Sequence, residues 1–255
     1  MTTDDMPAAD ADTARLRNLI LGADRIVFFT GAGASTESGI PDFRGPQGLW
    51  KTVKPTDFND FIGSEEVRRN AWRARFTSRS SIDDAQPNSG HQAVASLIGM
   101  GKASQVITQN IDGLYQKAGV PDEQVIELHG NSQYCTCLDC GCRYEMTEVR
   151  AMFLPEEVPP VCSDCGGIIK TATISFGQSM PVAAMHAAEQ ATLAADLFIA
   201  MGSSLVVYPA ASFPVLAKRN GAGLVIINYE PTDLDELCDI VIHKEIGATL
   251  AQVID

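Results

Sequence analysis

Positive charge is in short supply along this 255-residue chain. Lysine and arginine number 19 against 32 aspartates and glutamates, for a formal net charge of −13. Such a surface repels phosphate backbones, which argues against direct nucleic-acid binding and leaves basic, lysine-rich protein segments as suitable partners. Long apolar runs are missing too. None approaches the roughly 20 residues a membrane span needs, although 45% of the residues are hydrophobic, so no membrane association is expected. The start, MTTDDMPAADADT, is acidic and has no apolar stretch of the signal-peptide kind. Residues 1–12 therefore read as a disordered tail and the protein as cytoplasmic. Histidine is scarce, four in all, which leaves few candidates for a base that titrates near neutrality. Seven cysteines in an unexported chain suggest thiols or metal rather than disulfides.

What is present begins at Ile26. IVFFT reads as a strand buried on both faces, followed by Gly31, Ala32 and Gly33 and then a run able to open a helix. A strand feeding a glycine turn at a helix start brings backbone N–H groups close to an anion. The hydride-transfer fingerprint also needs a third glycine and a carboxylate about twenty positions on. Thr36 stands at the third position and no acidic residue ends a second strand, which disfavours a dehydrogenase. In PDFRG, just beyond, Arg44 can pair a pyrophosphate as a fork and Phe43 can cover a bound ring.

Further strands are predicted at 105–108, 125–128, 197–201, 225–228 and 240–242. Gln109, Asn110 and Asp112 follow one of them, either as ligand groups at a strand's carboxyl end or as helix caps. His129, beside Gly130 at another strand end, is the histidine best placed to act as a base, whereas His91 reads as a helix-start residue. Helices are predicted over 13–21, from an N-cap at Ser64 to about Phe76, over 91–100 and 181–193, and from Ile246. The stretch 46–61 is rich in loop formers. Arg68, Arg69, Arg73, Arg75 and Arg79 read as a solvated basic face.

Composition changes between 131 and 170. Cys137-x2-Cys140 and Cys162-x2-Cys165, separated by twenty-one residues, can offer four thiolates in a tetrahedron, the pattern of a closed structural zinc site. A redox CxxC normally comes singly. Cys135 and Cys142 are alternative partners, but they lack the two-residue spacing. Cys238 has no partner by spacing and reads as a small hydrophobe.

Strands alternating with helices predict an α/β fold with a doubly wound, parallel, Rossmann-like sheet, assembled from 13–45, 86–129 and 172–255. Insertions at 46–85 and 130–171 form a small lobe of helix, loop and zinc ribbon. The cleft between lobes is the natural active site.

The stretch from Gly31 resembles the sirtuin signature GAG-x-S-x-x-SGIPDFRG, matching at Gly31, Ala32, Gly33, Ser35, Ser38, Gly39, Ile40, Pro41, Asp42, Phe43, Arg44 and Gly45. TQNIDGLYQKAG resembles the family's TQNID-x-LH-x-x-AG, with Tyr115 in place of the histidine. The His129-Gly130 pair, the cysteine pairs, FGQSMP (where the family has FGE-x-x-P, so that Gln178 departs), Gly202-Ser203-Ser204 and Asn228 complete the resemblance, in order along nearly the whole chain.

The resemblance implies an NAD-dependent protein-lysine deacylase (deacetylase), with NAD as co-substrate and one structural Zn2+ per chain. In such an enzyme the acyl oxygen attacks the ribose carbon that holds nicotinamide, and the acyl group ends on ADP-ribose. His129 would be the general base, with Asn110, Ile111 and Asp112 forming the nicotinamide pocket. Gly31, Ala32, Gly33, Ser35, Asp42, Phe43 and Arg44 would bind the cofactor from one side. Gln109, Gly202, Ser203, Ser204 and Asn228 would bind it from the other. Ile174, Phe176, Gly177 and Gln178 would pair with the acylated lysine segment, and Val206, Val207 and Tyr208 of LVVYPA would form a second strand across it. WRARF, from Trp72 to Phe76, resembles a subgroup with weak acetyl-removing activity, so protein ADP-ribosyl transfer or removal of a less common acyl group is the alternative. No Tyr-x-x-Arg pair of the kind that reads acidic acyl groups is present. A non-catalytic NAD-binding or zinc-ribbon module is disfavoured by the intact NID and HG motifs.

Overall fold

The computed structural model describes residues 8–45, 48–51, 54–77 and 81–254. Helix α1 (Ala8–Gly22) starts five residues before Thr13. Residues 8–12, expected to be tail, are helical, in a stretch rich in alanine, the residue with the highest helix propensity. The rest of the expected tail, 1–7, lies outside the described residues.

Strand β1 (Ile26–Thr30) leads into a 3-10 turn over Ala32–Ser38. Helices α2 (Phe58–Gly63), α3 (Glu65–Thr77), α4 (Ser81–Asp84) and α5 (Ser89–Gly99) follow, then β2 (Ala103–Thr108), α6 (Leu114–Lys117) and β3 (Val125–Glu127). Next come β4 (Gly130–Cys137), β5 (Arg143–Glu145), α7 (Met146–Phe153) and β6 (Ile169–Thr173). The chain closes with α8 (Val182–Ala194), β7 (Leu197–Met201), α9 (Ser212–Arg219), β8 (Gly223–Ile227), β9 (Ile240–Ile242) and α10 (Ile246–Ile254).

Six parallel strands form one sheet in the order β3-β2-β1-β7-β8-β9. Side chains alternate between its faces as strand geometry requires. Ile26, Phe28, Ile199 and Val225 join a core with residues of α1, α5 and α10. Val27, Phe29, Phe198 and Ile226 join another with residues of α8 and α9. The sheet is thus covered on both sides, and its order reverses at β1, where β2 lies on one side and β7 on the other. That reversal opens a crevice at the carboxyl ends of the strands.

The small lobe carries an antiparallel sheet, β5-β4-β6, around its own core of Trp72, Cys135, Tyr144, Val149, Phe153 and Ile169. The WRARF segment belongs here: Trp72 stacks on Phe76 at 5.4 Å, and Phe76 meets Phe153 at 5.8 Å.

Two further expectations need correction. The stretch read as loop ends in helix α2, started by Asp57, whose carboxylate accepts from Asn59 N–H at 2.8 Å. The arginines of α3 do not form a plain solvated face. Arg68 donates to the carbonyls of Phe61 and Ile62, Arg69 and Arg73 reach Glu157 beyond α7, and Arg75 grips Asp83 with two bonds of 2.8 Å. Arg79 lies outside the described residues. Residues 205–209 form an irregular loop, with Leu205 at φ +55 and a cis Tyr208-Pro209 bond; a strand over 206–208 was expected only across a bound peptide, and among the described residues no neighbouring strand pairs with them. Among the described residues no helix is long and apolar enough to cross a membrane.

Candidate active-site cleft

Gly31 and Gly33 leave β1 where Gly202 leaves β7, and the two turns touch. Gly31 N–H donates to Met201 O at 3.1 Å and Gly33 N–H to Gly202 O at 2.8 Å. A Cβ on Gly33 would sit 2.8 Å from the Gly202 Cα, and Gly202 itself is at φ +59. Only glycine fits both requirements. The bare backbone this leaves is the floor of a cavity of about 640 Å³.

Side chains at the end of β2 tie that floor together. Gln109 donates to Ser203 Oγ at 2.9 Å, and Asn110 Nδ2 donates to Gly31 O and Ser35 Oγ, both at 3.0 Å. Ser35 in turn donates to Asp112 at 2.7 Å, and the second carboxylate oxygen accepts from Leu114 N–H at 3.0 Å. Asp112 therefore serves as the turn cap that its position permits and also braces Asn110 through Ser35. Asn110 and Ile111 line the cavity, whereas Ser35 and Asp112 stand behind its wall.

His129 faces the same space from the end of β3. Its Nδ1 lies 2.9 Å from the Gln109 carbonyl, a partner that can only accept, so Nδ1 carries the proton and Nε2 is left as the basic atom. Burial lowers its pKa below the usual 6.5, the hydrogen bond to Gln109 opposes this, and the Arg44 charge adds to the lowering. His91 does what a helix-start residue does. It forms a reciprocal cap with Asn88, and burial pushes it down to about 4, so it stays neutral. Tyr115, the departure in the TQNID segment, packs on it with ring centroids 4.7 Å apart.

Asp42, Phe43 and Arg44 line one rim, and Asn228 lies at the far end beyond β8. The Arg44 guanidinium sits 4.1 Å from the centroid of Trp50, whose ring also meets Phe43 at 5.0 Å and Phe176 at 5.2 Å. Ile174, Phe176, Gly177 and Gln178 line the opposite rim with Val207 and Tyr208, whereas Val206, expected there too, is exposed and does not line the cavity. Gln178 closes a turn on Ser175, accepting from its N–H at 3.2 Å and donating back through its own N–H at 3.0 Å. A glutamate oxygen could accept the same bond, so the departure removes a charge from the rim and keeps the turn.

Trp50, Lys170 and Glu230 line the cavity and were missed from sequence. Trp50 was findable, an aromatic in the loop directly after PDFRG. Nothing in the pattern around Lys170 marks it.

In the small lobe the Sγ atoms of Cys137, Cys140, Cys162 and Cys165 all lie within 4.8 Å of one another. Cys137 is 3.5 Å from Cys165, and Cys140 is 3.6 Å from Cys162. Sulfur-to-metal bonds of about 2.3 Å put tetrahedral sulfurs about 3.8 Å apart, so the four fit one zinc ion with no open position. Tyr144 O–H donates to Cys162 Sγ at 3.1 Å, and such outer hydrogen bonds orient ligands. Cys135 is buried towards Met146, Cys142 bonds Asp164, and Cys238 bonds a backbone carbonyl, so none belongs to the cluster.

A Sir2 family model matches residues 31–209. An NAD-dependent protein deacetylase of Rhodopseudomonas palustris is 50% identical over 244 residues, 96% of either chain. NAD-dependent protein deacetylase 1 of Bradyrhizobium diazoefficiens is 52% identical over 236 residues, 92% of either chain. Among solved structures, a Sir2–p53 peptide–NAD+ complex superposes with TM-score 0.81 at 36% identity, covering 94% of this chain and 96% of that one. A Sir2 variant with a deacetylated p53 peptide and 3′-O-acetyl ADP ribose gives 0.85 at 34% identity, covering 95% and 97%.

Proposed function

The chain belongs to the Sir2 family, and from that premise we propose how its residues divide the work of an NAD-dependent protein deacylase. The enzyme releases nicotinamide and moves the acyl group of a modified lysine onto ADP-ribose. The observation that carries this reading is His129 at the cleft floor, with Nδ1 committed to a carbonyl and Nε2 free, beside a backbone cradle that any Cβ would fill.

NAD supplies, when bound, a ribose carbon made electrophilic by the pyridinium leaving group. Every other part belongs to the chain. Gly31, Gly33 and Gly202 admit the pyrophosphate, and Arg44 can swing from Trp50 to pair it. Asn110, its two N–H groups donated to Gly31 and Ser35, presents its remaining carbonyl oxygen as an acceptor to the nicotinamide pocket, and Asp112 keeps it there. His129 accepts a proton from the sugar hydroxyls through Nε2, which its lowered pKa leaves unprotonated at neutral pH. Phe43, Trp50 and Phe176 form an apolar cover that excludes water while the acyl group is in transit. Ile174 to Gly177 on one rim and Val207 and Tyr208 on the other offer backbone and side chain to an extended peptide.

The substrate is a protein segment bearing an acylated lysine, and basic neighbours of that lysine suit a chain of net charge −13. The same charge disfavours nucleic acid as a ligand. Unpaired cysteines suit the reducing cytoplasm, where we place it.

One incubation decides among activities: zinc-loaded protein with NAD and acetylated peptide, the products resolved by mass. Deacetylated peptide, nicotinamide and O-acetyl-ADP-ribose in equal amounts are expected. ADP-ribose attached to protein, with the peptide still acetylated, would establish transfer instead. Reduced NAD would overturn the reading altogether.

A further inference from the structure

Among the described residues Lys170 is the one lysine that lines the cleft, and it is only 4% exposed. Among the described residues no carboxylate pairs with it. Its Nζ donates to Thr173 O at 2.5 Å and Thr171 O at 3.3 Å, with Thr173 Oγ1 at 3.5 Å. An ammonium has three donors, and these three contacts use them. It is therefore not a counter-ion waiting for a carboxylate on the acyl group.

The place where it bonds is unusual. The β4–β6 ladder pairs Thr136 with Lys170 and Cys135 with Thr171, then skips until Gly130 pairs with Thr173. Over this gap β4 runs from Gly130 to Cys135 while β6 runs only from Thr171 to Thr173. The strands also close tightly there: Gly130 has φ +71, and a Cβ on it would come within 1.9 Å of Ala172 O. Directly after Thr173, Ile174 N–H donates to the His129 carbonyl at 2.7 Å. The ammonium thus grips the strand end whose next residue seats the catalytic histidine on one side and the peptide-facing rim on the other.

We propose that Lys170 is a positioning residue for deacylation, its ammonium anchored on Thr173 O so that Ile174 stays locked to His129. Burial lowers the amine to about 8, so it remains mostly charged at neutral pH. Its effect on His129 is geometric, since the charge that acts on His129 is that of Arg44.

The proposal rests on the deacylase reading, and its test has one readout that needs no turnover. Zinc-loaded parent, Lys170→Met, Lys170→Gln and Lys170→Arg are compared by steady-state kinetics and by the NMR titration of His129, assigned with His129→Ala. The neutral variants are expected to lose roughly 10–100-fold in kcat/KM for the peptide, the scale of a small misplacement at a reacting centre, with NAD affinity unchanged. The His129 titration should move up towards the ordinary imidazole value as the ring loosens. Lys170→Arg, which keeps charge and donors, should recover most of both. A folded neutral variant with parental peptide kinetics and parental His129 titration overturns the proposal. Failure of both neutral variants to fold replaces positioning by a purely stabilising role. A parent that deacetylates nothing refutes the deacylase reading, yet the histidine titration still reports on the clamp.

Discussion

The wall of the cleft that we assign to the cofactor is made of strand ends and a glycine turn, whereas the wall that we assign to the peptide is made of two irregular segments, 174–178 and 205–209. On the first wall the register of the parallel sheet brings Gly31, Gly202, Gln109 and Asn228 to one edge, and short side-chain bonds lock them. On the second wall nothing comes from a sheet ladder. Phe176 O accepts from Phe58 N–H at 2.8 Å, Ile174 is tied to His129, and Gln178 folds back on Ser175. Those contacts come from α2, from the turn after β3 and from the segment itself. A wall set by sheet register is rigid before its ligand arrives. A wall held by borrowed contacts depends on the small lobe staying folded.

That dependence suggests the largest perturbation. Replacing Cys162 with Ser, or stripping the metal with a chelator, removes a folding contribution of the order of 10 kcal/mol for a structural zinc. The small lobe should unfold, while the parallel sheet keeps its far-ultraviolet signature. Cys135→Ser, Cys142→Ser and Cys238→Ser should retain one zinc per chain by metal analysis. Loss of zinc from any of these three would contradict the ligand set.

Next in size is His129→Ala, which should lower kcat by roughly 10²–10⁴-fold, the usual contribution of a general base, without altering NAD affinity. The pH profile gives the sign. Burial depresses the histidine, so the base form survives below pH 6.5 and activity is lost only as pH falls through the lowered value. An acid limb of kcat/KM centred above 6.5 would contradict the assignment.

Asp112→Asn probes the cofactor wall from behind and should act more mildly. An amide has a single acceptor oxygen for the two donors that the carboxylate now satisfies. About 1 kcal/mol of stability should go, together with a lower kcat and weaker inhibition by free nicotinamide as Asn110 loosens. An early-melting variant with parental nicotinamide inhibition would reduce Asp112 to a turn cap. Arg44→Ala, on the rim, should chiefly raise the KM for NAD, since pyrophosphate binding is the same before and during reaction. Smallest of all should be Arg73→Ala. Its bond to Glu157 joins α3 to the segment after α7 but is exposed on both sides. Exposed pairs contribute little, so melting by calorimetry should barely change.

Most of the cofactor wall was legible in the chain. Five apolar or β-prone residues followed by glycines define a strand and its turn, His129 follows a strand, and two CxxC pairs define a metal site, because each of these needs only local spacing. Other features were not local. LVVYPA was expected to form a strand only across the bound peptide, and by itself it is an irregular loop, because among the described residues no neighbouring strand offers it a ladder. The start of α1 was placed too late because acidity was read as disorder. Trp50 and Lys170 reach the cleft through the packing of one lobe against the other.

Residue spacing by itself thus determined the parallel sheet, the glycine cradle and the thiolate set, and singled out His129 as the base we propose. Only the tertiary structure decided that Asp112 stands behind the wall, that Nε2 is the basic atom of His129 and that Lys170 grips the end of β6. The physical reason is range. Turns, caps and metal knuckles form between residues a few positions apart, whereas protonation states and buried cations depend on partners brought together from distant parts of the chain.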